Sequence, residues 1–509
     1  MPADGTDPLR IVLNGERVDI AGLPPQTTLL AWLREHRALP GTKEGCAEGD
    51  CGACTVVVAE SRGDGSLGWK PVNACIRLLP TLDGKAVFTV ESLRAPGGAL
   101  HPVQQALVEC HGSQCGFCTP GFAMSLFGLW KNTHAPSRET IDDAISGNLC
   151  RCTGYRPILD AAAHMHAIDA ATCGATGWRG PGVAPDGSRI VHPDEQRLAV
   201  QLDALARDAT FVYEGGGQRW IAPVDADGLA EACAAHPDAR LVAGATDVGL
   251  WITKEHRDLG TMISTAAARD LARIARDDEA LVIGAGATLA EAFGALDDDY
   301  PELHEAWVRF ASLPIRNAGT LAGNVANGSP IGDSMPALIA LGASVVLRNG
   351  GAKRTLPLEA FYPGYRKTAR VPGEFVESIR VPRRPAGLLL RAWKLSKRYD
   401  QDISAVFAAF ALSIEGGSVA SARIGCGGVA ATPVRARRTE AALEGEPWSE
   451  ATADAAARVL EGEFTPIDDM RASAAYRRRA LGNLMRRCWL ETGSGGSAPT
   501  RVEHLLAAD

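Results

Sequence analysis

Eight of the thirteen cysteines in this 509-residue chain fall into two clusters within its first third. The first cysteine cluster is Cys46, Cys51, Cys54 and Cys75, and the second cysteine cluster is Cys115, Cys118, Cys150 and Cys152. Four thiols brought to one place bind a metal centre or form disulfides, and either outcome requires a defined backbone geometry around them. The fold of this region must therefore bring residues that are distant in sequence together at two compact sites.

The first cysteine cluster has the spacing C-x4-C-x2-C followed by a distant fourth cysteine, which is the ligand spacing of a plant-type [2Fe–2S] cluster. Its loop also holds Gly45, Gly49 and Gly52, which allow backbone N–H groups to approach inorganic sulfides. Four-thiolate zinc sites are the alternative, but a zinc ribbon combines two similar cysteine pairs, whereas three thiols lie within nine residues here. The spacing predicts iron and sulfide at this cluster.

The second cysteine cluster consists of a C-x2-C pair and a C-x-C pair. Because C-x-C also occurs in zinc and copper sites, its spacing alone leaves the metal open. Disulfides are a further alternative, but residues 1–10 are polar and acidic and do not resemble a signal segment, which favours a reducing cytoplasm. The five other cysteines have no partner spacing and are expected to be isolated thiols: Cys110, Cys173, Cys233, Cys426 and Cys488.

Composition limits the classes of protein to which the chain can belong. Its length allows three or four domains, and its apolar and charged contents of 46% and 22% are those of globular proteins. The longest apolar stretch, 337–347, is shorter than a membrane span. A net charge of −8 provides no basic surface for nucleic acid. We expect several globular domains with neither a membrane nor a nucleic-acid partner.

Local patterns predict a small β-sheet domain at the start of the chain. The dipeptide Asn14-Gly15 between two short apolar runs indicates a β-hairpin. Residues 28–35 have the apolar spacing of an amphipathic helix, and β-branched residues at 55–58 indicate a strand directly after Cys54. This order predicts a β-grasp domain over residues 8–92.

The remaining chain divides into four further parts. Residues 95–172 show helical periodicity, with the cysteine pairs of the second cluster where helices begin and end, so a helical domain is expected. Residues 173–208 are rich in Gly, Pro, Asp and Arg and are interpreted as a linker. Residues 209–386 alternate strand-like and Ala-rich helical runs, and residues 387–493 begin with strands and end in helices. Both patterns predict α+β domains.

Three motifs around the cysteines are specific: Gly45–Cys54, Gln114–Gly121 and Gly147–Tyr155. Together with the later glycine-rich segments, they resemble the small subunits of bacterial xanthine dehydrogenases, the iron–sulfur and FAD half of the molybdenum hydroxylase family. The resemblance extends from about Leu9 to Leu490 and implies that the second cysteine cluster also holds a [2Fe–2S] cluster. It implies a multidomain α+β protein with a β-grasp ferredoxin-like domain, an all-α four-helix [2Fe–2S] domain, an α+β FAD-binding domain of the PCMH (VAO-like) type and a C-terminal α+β domain like that of CO dehydrogenase flavoproteins.

Two glycine-rich turns are candidates for binding the pyrophosphate of a flavin. Residues 241–248 end a strand in a glycine turn and 317–324 contain a second such turn, and both offer backbone N–H groups to phosphate oxygens. Tight turns that simply require glycine are the alternative. A Rossmann site is not expected, because the motif that begins at Gly284 lacks its third glycine.

The resemblance assigns FAD contacts to individual residues. It implies that Phe310 packs on the adenine, that Asp333 binds a ribityl or ribose hydroxyl, and that Val376 and Lys394 complete the site. From the residues alone, Asp333 would equally suit a helix cap or a solvated position, and Lys394 a surface position. The implied pyrophosphate contacts are Leu241, Val242, Ala243, Gly244, Ala245, Thr246, Asp247 and Val248 in one turn and Thr320, Leu321, Ala322, Gly323 and Asn324 in the other.

Two more residues are assigned by the resemblance. Tyr365 matches an aromatic residue near the flavin on the side where NAD approaches, although a partly buried core tyrosine is an alternative. Gln114, beside Cys115, matches the residue that contacts the pterin of the partner subunit, although a polar helix cap is an alternative. No residue of this chain is assigned to substrate hydroxylation.

The resemblance further implies a function. Family members hydroxylate a purine carbon at a molybdenum–pterin centre and pass electrons through two [2Fe–2S] clusters to FAD and on to NAD+ as co-substrate. Because this chain leaves no room for the molybdenum domain, we expect molybdopterin on a large partner subunit. The expected complex is a heterodimer, dimerised to a heterotetramer in the cytoplasm, that oxidises hypoxanthine and xanthine to urate.

Two alternatives to this function remain. The chain would also suit a related molybdenum hydroxylase that acts on an aldehyde, carbon monoxide or another N-heterocycle, but those relatives commonly carry the iron–sulfur and flavin parts on separate chains. A ferredoxin-like scaffold without turnover is the second alternative, and the flavin segments disfavour it.

Overall fold

The computed structural model of the chain describes residues 7–493 and Thr500. It divides into two compact units. The first contains the residues up to Arg269 together with Ala311–Gly319, and the second contains Asp270–Phe310 and the residues from Thr320 onwards. Within the described ranges, no helix is both long enough and apolar enough to cross a membrane.

The first unit begins with a five-stranded sheet built around the predicted hairpin. Asn14 and Gly15 have φ angles of 55° and 96°, as a two-residue hairpin turn of the predicted kind requires. The first strand also pairs in parallel with the last, which places the sheet in the predicted β-grasp arrangement. The helix Leu29–Ala31 continues as a π-helical turn over Trp32–His36 and packs its leucines into the core. The strands are Leu9–Leu13, Glu16–Ile20, Thr55–Ser61, Leu67–Asn73 and Ala86–Phe88.

A helical region follows this sheet, as predicted. Thr119–Asn132 is buried along most of its length because it contacts the other helices on one side and the strand Thr55–Ser61 on the other. Gly128 permits this close packing, since a Cβ atom there would lie 2.3 Å from Pro71 Cγ. The four helices are Pro102–Glu109, Thr119–Asn132, Arg138–Ile145 and Arg156–His164.

The segment interpreted as a linker, 173–208, is not irregular throughout. It contains the helix Pro193–Leu205, whose Leu198 and Leu202 lie in the core shared with the helical region. Proline at the first helical position and acidic residues in the first turn favour this helix, but the preceding Gly- and Pro-rich residues obscure its signal in the sequence.

The rest of the first unit is a four-stranded sheet with helices. The strand Arg240–Val242 runs parallel to Thr261–Ser264, and the chain between them turns into the helix Val248–Thr253. The strands are Phe211–Gly215, Gln218–Ala222, Arg240–Val242 and Thr261–Ser264, and the helices are Ala226–Ala235, Val248–Thr253 and Leu313–Ala318.

The second unit contains two antiparallel sheets and seven helices among the residues described. The first sheet comprises Ile274–Arg276, Ala280–Gly284, Ser344–Asn349, Ala352–Pro357 and Phe375–Pro382, with helices Leu289–Asp299, His304–Val308, Leu321–Asn327 and Ser334–Ala340. The second sheet comprises Leu388–Leu395, Val406–Glu415, Ser418–Gly427 and Val434–Arg435, followed by helices Arg437–Leu443, Glu450–Glu461 and Ala474–Thr492. The second sheet and the helices after it share one apolar core. The order of strands followed by helices agrees with the α+β domain predicted for residues 387–493.

Candidate iron–sulfur and flavin sites

The structure brings the four thiols of the first cysteine cluster together. The pairing of Thr55 with Asn73 places Cys54 and Cys75 at the same end of two neighbouring strands, where their thiols are in contact. Cys46, on the glycine-rich loop, contacts Cys51 and Cys75. Cys54 and Cys75 are buried, and Cys46 and Cys51 are half-buried.

The thiols of this cluster differ in acidity: hydrogen bonding to neighbouring thiols and burial raise the pKa values of Cys51 and Cys75, whereas the pKa of Cys46 is lowered. Hydrogen bonds from the Cys51 and Cys75 thiols hold the pKa of Cys46 far below its usual range. The backbone N–H groups of Asp50 and Cys51 also donate to Cys46 Sγ, at 3.3 Å each. Thiolates are the form in which cysteine binds metal, and N–H donors to sulfur are characteristic of iron–sulfur sites. The loop residues therefore fit the predicted [2Fe–2S] cluster.

The second cysteine cluster lies where two helices begin. Cys118 precedes the helix Thr119–Asn132, and its thiol contacts that of Cys150, while Cys115 contacts Cys152. Burial raises the pKa of the Cys118 thiol to about 12. The backbone N–H of Cys150 donates to the hydroxyl of Tyr155 at 3.0 Å. The ends of the helices thus bring the thiols of the second cluster together.

The thiols of the second cluster form two contacting pairs, and those of the first form a connected set in which Cys46 contacts Cys51 and Cys75 and Cys75 contacts Cys54. A [2Fe–2S] cluster with four cysteines takes two ligands on each of its two irons, and the pairs of the second cluster suit that arrangement. Within residues 7–493 and Thr500, no group of three or more His, Cys, Asp or Glu side chains is placed to hold a single metal ion.

The two cysteine loops touch each other within the first unit. The backbone N–H of Leu149, next to Cys150, donates to the carbonyl of Cys51 at 3.0 Å. The loops of the two clusters are therefore joined by a direct hydrogen bond.

The loop of the first cluster also contacts the helix that follows the predicted flavin turn. Thr253 Oγ1 donates to the carbonyl of Ala47 at 2.7 Å, and Lys254 Nζ donates to the carbonyl of Cys46. At the other end of this helix, a Cβ atom on Gly249 would lie 2.8 Å from Cβ of Ile76, the residue after Cys75. The helix Val248–Thr253 thus packs against both parts of the first cluster.

The turn 241–248 itself is tightly packed. A Cβ atom on Gly244 would lie 1.8 Å from the carbonyl oxygen of Ala318, so glycine is required there for packing. Ala245 has a φ of 62°, and Asp247 opens the following helix. Asp247 keeps exposed surface, yet desolvation by the surrounding protein raises the pKa of its carboxyl.

In the second unit, the structure brings Asp333 and Lys394 together. Asp333 Oδ2 lies 2.9 Å from Lys394 Nζ, and Asp333 Oδ1 accepts from Ser404 Oγ at 2.6 Å. Lys394 also donates to the carbonyl of Arg309 at 3.1 Å. Both partners are buried, which excludes a solvated aspartate and a surface lysine. Each carboxylate oxygen retains capacity for a further donor, so the predicted bond to a flavin hydroxyl stays a prediction.

The other predicted flavin residues of the second unit lie on its helices and first sheet. Thr320 Oγ1 caps the helix Leu321–Asn327 by accepting from the Gly323 N–H at 3.0 Å, and Asn324 Oδ1 accepts from Ser334 Oγ. Val376 is buried in a strand. Phe310 is half-buried and packs edge-to-face on Phe293 at 5.2 Å.

The two residues assigned to approaching partners are exposed. Tyr365 is 56% exposed, so it is not a core tyrosine, and the Arg366 guanidinium lies 5.3 Å from its ring centroid. Gln114 is exposed beside Cys115. The predicted FAD residues are thus divided between the two units, with 241–248 in the first and the remainder in the second.

Sequence reasoning missed three residues that hold the predicted site residues in place. Ser404 binds Asp333, Lys254 binds the Cys46 carbonyl, and Asn148 binds the loop of the first cluster. Of these three residues, only Asn148 could have been found from the sequence, because it lies inside the motif Gly147–Tyr155.

These folds and thiol sites define an iron–sulfur protein that is joined to flavin-binding domains. Four family models match the chain in succession: the 2Fe-2S iron-sulfur cluster binding domain over 11–77, the [2Fe-2S] binding domain over 89–163, the FAD binding domain in molybdopterin dehydrogenase over 213–384, and the CO dehydrogenase flavoprotein C-terminal domain over 391–492. The predicted fold classes are confirmed, and the predicted domain bounds stay a prediction.

Known proteins similar to the chain include a xanthine dehydrogenase, an aldehyde oxidase and a carbon monoxide dehydrogenase. It is 34% identical to a xanthine dehydrogenase of Emericella nidulans over 93% of its own length and 38% of that protein. It is 31% identical to aldehyde oxidase 2 of Cavia porcellus over 96% of its length and 40% of that protein. A carbon monoxide dehydrogenase structure from Hydrogenophaga pseudoflava, which lacks the Mo-pyranopterin moiety of its cofactor, matches 53% of this chain and 94% of its own at 28% identity and a TM-score of 0.50.

The chain belongs to the molybdenum hydroxylase family and carries its iron–sulfur and FAD-binding domains. It spans about two fifths or less of the length of the curated relatives named here.

Proposed function

We propose that this chain is the electron-transfer part of a xanthine dehydrogenase. In this proposal, a molybdenum-cofactor subunit oxidises hypoxanthine and xanthine to urate, and the electrons pass through two [2Fe–2S] clusters to FAD and on to NAD+. One observation carries the proposal: the loop of the second cluster contacts the loop of the first, and that loop contacts the helix after the predicted pyrophosphate turn. The order of these contacts is the proposed order of electron flow.

The residues of the chain would hold and insulate these groups. Each cysteine cluster would ligate one [2Fe–2S] cluster, and the N–H donors at Cys46 would lower the charge that its sulfur must carry. When bound, the clusters supply one-electron carriers and FAD links them to two-electron transfer with NAD+. Cys54 and Cys75 are buried, so this side of the site would keep water away from a cluster bound there.

The second cluster suits entry of electrons from a partner. Its Cys115 and Cys152 are exposed, and the neighbouring Phe117 and Leu149 expose 49% and 41% of their surfaces. Exposed apolar side chains beside a redox site favour a protein docking surface. We infer that the molybdenum subunit binds here with its pterin near Gln114, first as a heterodimer and then as a heterotetramer.

We propose the FAD contacts that the resemblance implied. Residues 241–248 and 320–324 would bind the pyrophosphate, and Asp333, oriented by Lys394, would accept from a flavin hydroxyl. Tyr365 would lie on the NAD side of the flavin. We also propose that the complex acts in the cytoplasm, where cysteines remain reduced and available to bind iron.

A related hydroxylase that acts on an aldehyde or another N-heterocycle is the second candidate. Identity to aldehyde oxidase 2 is 31%, close to the 34% with xanthine dehydrogenase. The two substrates are distinguished by assaying the complex formed with the co-purifying molybdopterin polypeptide. We expect xanthine-dependent NAD+ reduction, and aldehyde-dependent turnover without xanthine activity would favour the second candidate.

A cysteine variant tests the electron path in the same complex. Cys150→Ser, which removes a ligand of the second cluster, should block reduction of FAD by xanthine while NADH-dependent dye reduction at the flavin continues. Cys110→Ser is the matched control, because Cys110 lies in the same helical region outside both clusters and should leave both activities unchanged. Rapid-freeze EPR during turnover would monitor FAD reduction in a Cys150→Ser complex that lacks the second [2Fe–2S] cluster. Normal FAD reduction in that complex would contradict the proposed order of electron flow.

A further inference from the structure

Asn148 is a buried side chain at the junction of the two cysteine loops. It is 3% exposed and lies two residues before Cys150. Its Nδ2 donates to the carbonyl of Gly52 at 3.0 Å, and its Oδ1 accepts from Ser125 Oγ at 2.7 Å. A single amide therefore connects the loop of the second cluster, the loop of the first cluster and the helix Thr119–Asn132.

The backbone beside Asn148 makes a parallel contact. Leu149 N–H donates to the Cys51 carbonyl at 3.0 Å, so two consecutive residues of one loop bind two consecutive carbonyls of the other. Space at this junction is minimal. A Cβ atom on Gly52 would lie 2.2 Å from the Gly147 carbonyl oxygen, and one on Gly121 would lie 2.2 Å from the Gly52 carbonyl oxygen.

The amide is suited to this position by its chemistry. It presents a donor and an acceptor at fixed separation, and both ends are satisfied here. Alanine would leave the Gly52 carbonyl without this donor and would leave a void between the loops. Loss of the Asn148 donor should also weaken the hydrogen bond from the Leu149 N–H to the Cys51 carbonyl, because Asn148 and Leu149 are consecutive residues that hold the same segment in place.

We propose that Asn148 is a positioning residue for electron transfer between the two clusters, an inference that rests on the proposed function. It holds the Leu149 amide on the Cys51 carbonyl, which completes a path from the Cys51 sulfur through its own backbone, across one hydrogen bond, to Leu149 and Cys150. Electrons tunnel more effectively along bonds and hydrogen bonds than across open gaps. The rate between the clusters therefore depends on this junction as well as on the eight ligands.

Asn132 provides the matched control. Its Nδ2 also joins the helical region to the first sheet, by donating to the carbonyls of Trp69 and Gly128 at 2.8 Å each, but it does not touch either cysteine loop. A purely structural role for such amides predicts similar effects from Asn148→Ala and Asn132→Ala. A positioning role predicts a redox effect from Asn148→Ala alone.

The test uses the full chain as purified with its iron. Hydrogen–deuterium exchange read by mass spectrometry should be about tenfold faster in the peptide around Leu149 for Asn148→Ala, and unchanged there for Asn132→Ala. After a short reducing pulse, rapid-freeze EPR of the two cluster signals should show several-fold slower equilibration between the clusters in Asn148→Ala, at unchanged iron and sulfide content.

Each outcome decides the inference. Equilibration at the wild-type rate in Asn148→Ala, or equal slowing in Asn132→Ala, overturns it. If Asn148→Ala retains too little iron, Ser125→Ala replaces it, because that change releases only the Oδ1 end and should slow equilibration by a smaller factor in the same direction. An unchanged rate in Ser125→Ala then overturns the inference. A wild-type chain without two iron–sulfur signals would instead refute the proposed function, and this inference with it.

Discussion

Asp333 and Lys394 form an ion pair of 2.9 Å in which each side chain is only 4% exposed. Removal of one partner leaves an uncompensated buried charge, which costs far more than loss of an exposed pair. We expect Lys394→Met to lower the free energy of unfolding of the purified chain by about 3–5 kcal/mol in urea titrations and to weaken flavin retention. Lys397→Met, on an exposed lysine nearby in sequence, should change stability by no more than about 0.5 kcal/mol. Equal effects from the two variants would contradict this role of the pair.

His101 gives the helical region a pH-dependent stability. The ring is 1% exposed, and burial lowers its pKa to about 4 from the ordinary 6.5. The positive charges of Lys131 and Arg179 oppose its protonation further. Between these two pKa values the unfolded chain binds a proton and the folded chain does not, so stability is lost as the pH falls from about 6.5 towards 4, by up to about 3 kcal/mol.

The pH effect is checked by urea unfolding of His101→Asn between pH 4 and pH 8. Asparagine is a good helix N-cap, so this variant should fold and should lack the contribution of His101 to the pH slope. His111→Asn is the control, because His111 is exposed and its φ of 55° is tolerated by asparagine. A wild-type slope in His101→Asn would exclude His101 as its source.

Gly52 combines a φ of 65° with the close contact to Gly147, and we expect alanine to be poorly tolerated there. Gly52→Ala should cost about 3 kcal/mol or more of stability and should reduce the iron content of the purified chain. Gly63→Ala separates the effect of positive φ from the effect of the steric contact, because Gly63 has a φ of 78° with open space around it. This substitution should lower the free energy of unfolding by only about 1 kcal/mol. If both variants keep full iron and similar stability, the close approach of the loops is not required.

Local signals explain what the sequence could predict. The hairpin at Asn14-Gly15 was predictable because its turn requires positive φ at both positions, and the grouping of the first four thiols because three of these cysteines lie in one short loop. The β-grasp, helical and α+β domains followed from local patterns, the resemblance added their family types, and these fold classes are confirmed. The helix Pro193–Leu205 was missed because its own start signal follows a Gly- and Pro-rich stretch.

Contacts between residues that are distant along the chain could not be predicted from the sequence. Asp333 and Lys394 were both named as site residues, yet nothing in the sequence links two positions that are 61 residues apart. Asn148 and Gly52 are separated by 96 residues, and their hydrogen bond depends on how the helical region packs on the first sheet. Side-chain partners of this kind are set by tertiary packing and leave no periodic pattern to read.

Lys131 and Glu195 form a second buried ion pair, with side chains 0% and 2% exposed, and it ties the helix Pro193–Leu205 to the helical region. Lys131 also donates to the carbonyl of Gly180 at 2.9 Å and lies over the ring of Trp69. Because Glu195→Gln leaves the ammonium without its counter-charge, we expect it to lower the free energy of unfolding by about 3–5 kcal/mol. The double variant Lys131→Met/Glu195→Leu should recover most of this loss, since apolar replacement of a whole buried pair is often neutral. Arg197→Met, on the exposed face of the same helix, should stay within about 1 kcal/mol of wild type in the same urea titrations. A double variant as unstable as Glu195→Gln would show that packing around the pair, and not the unpaired charge, sets the cost.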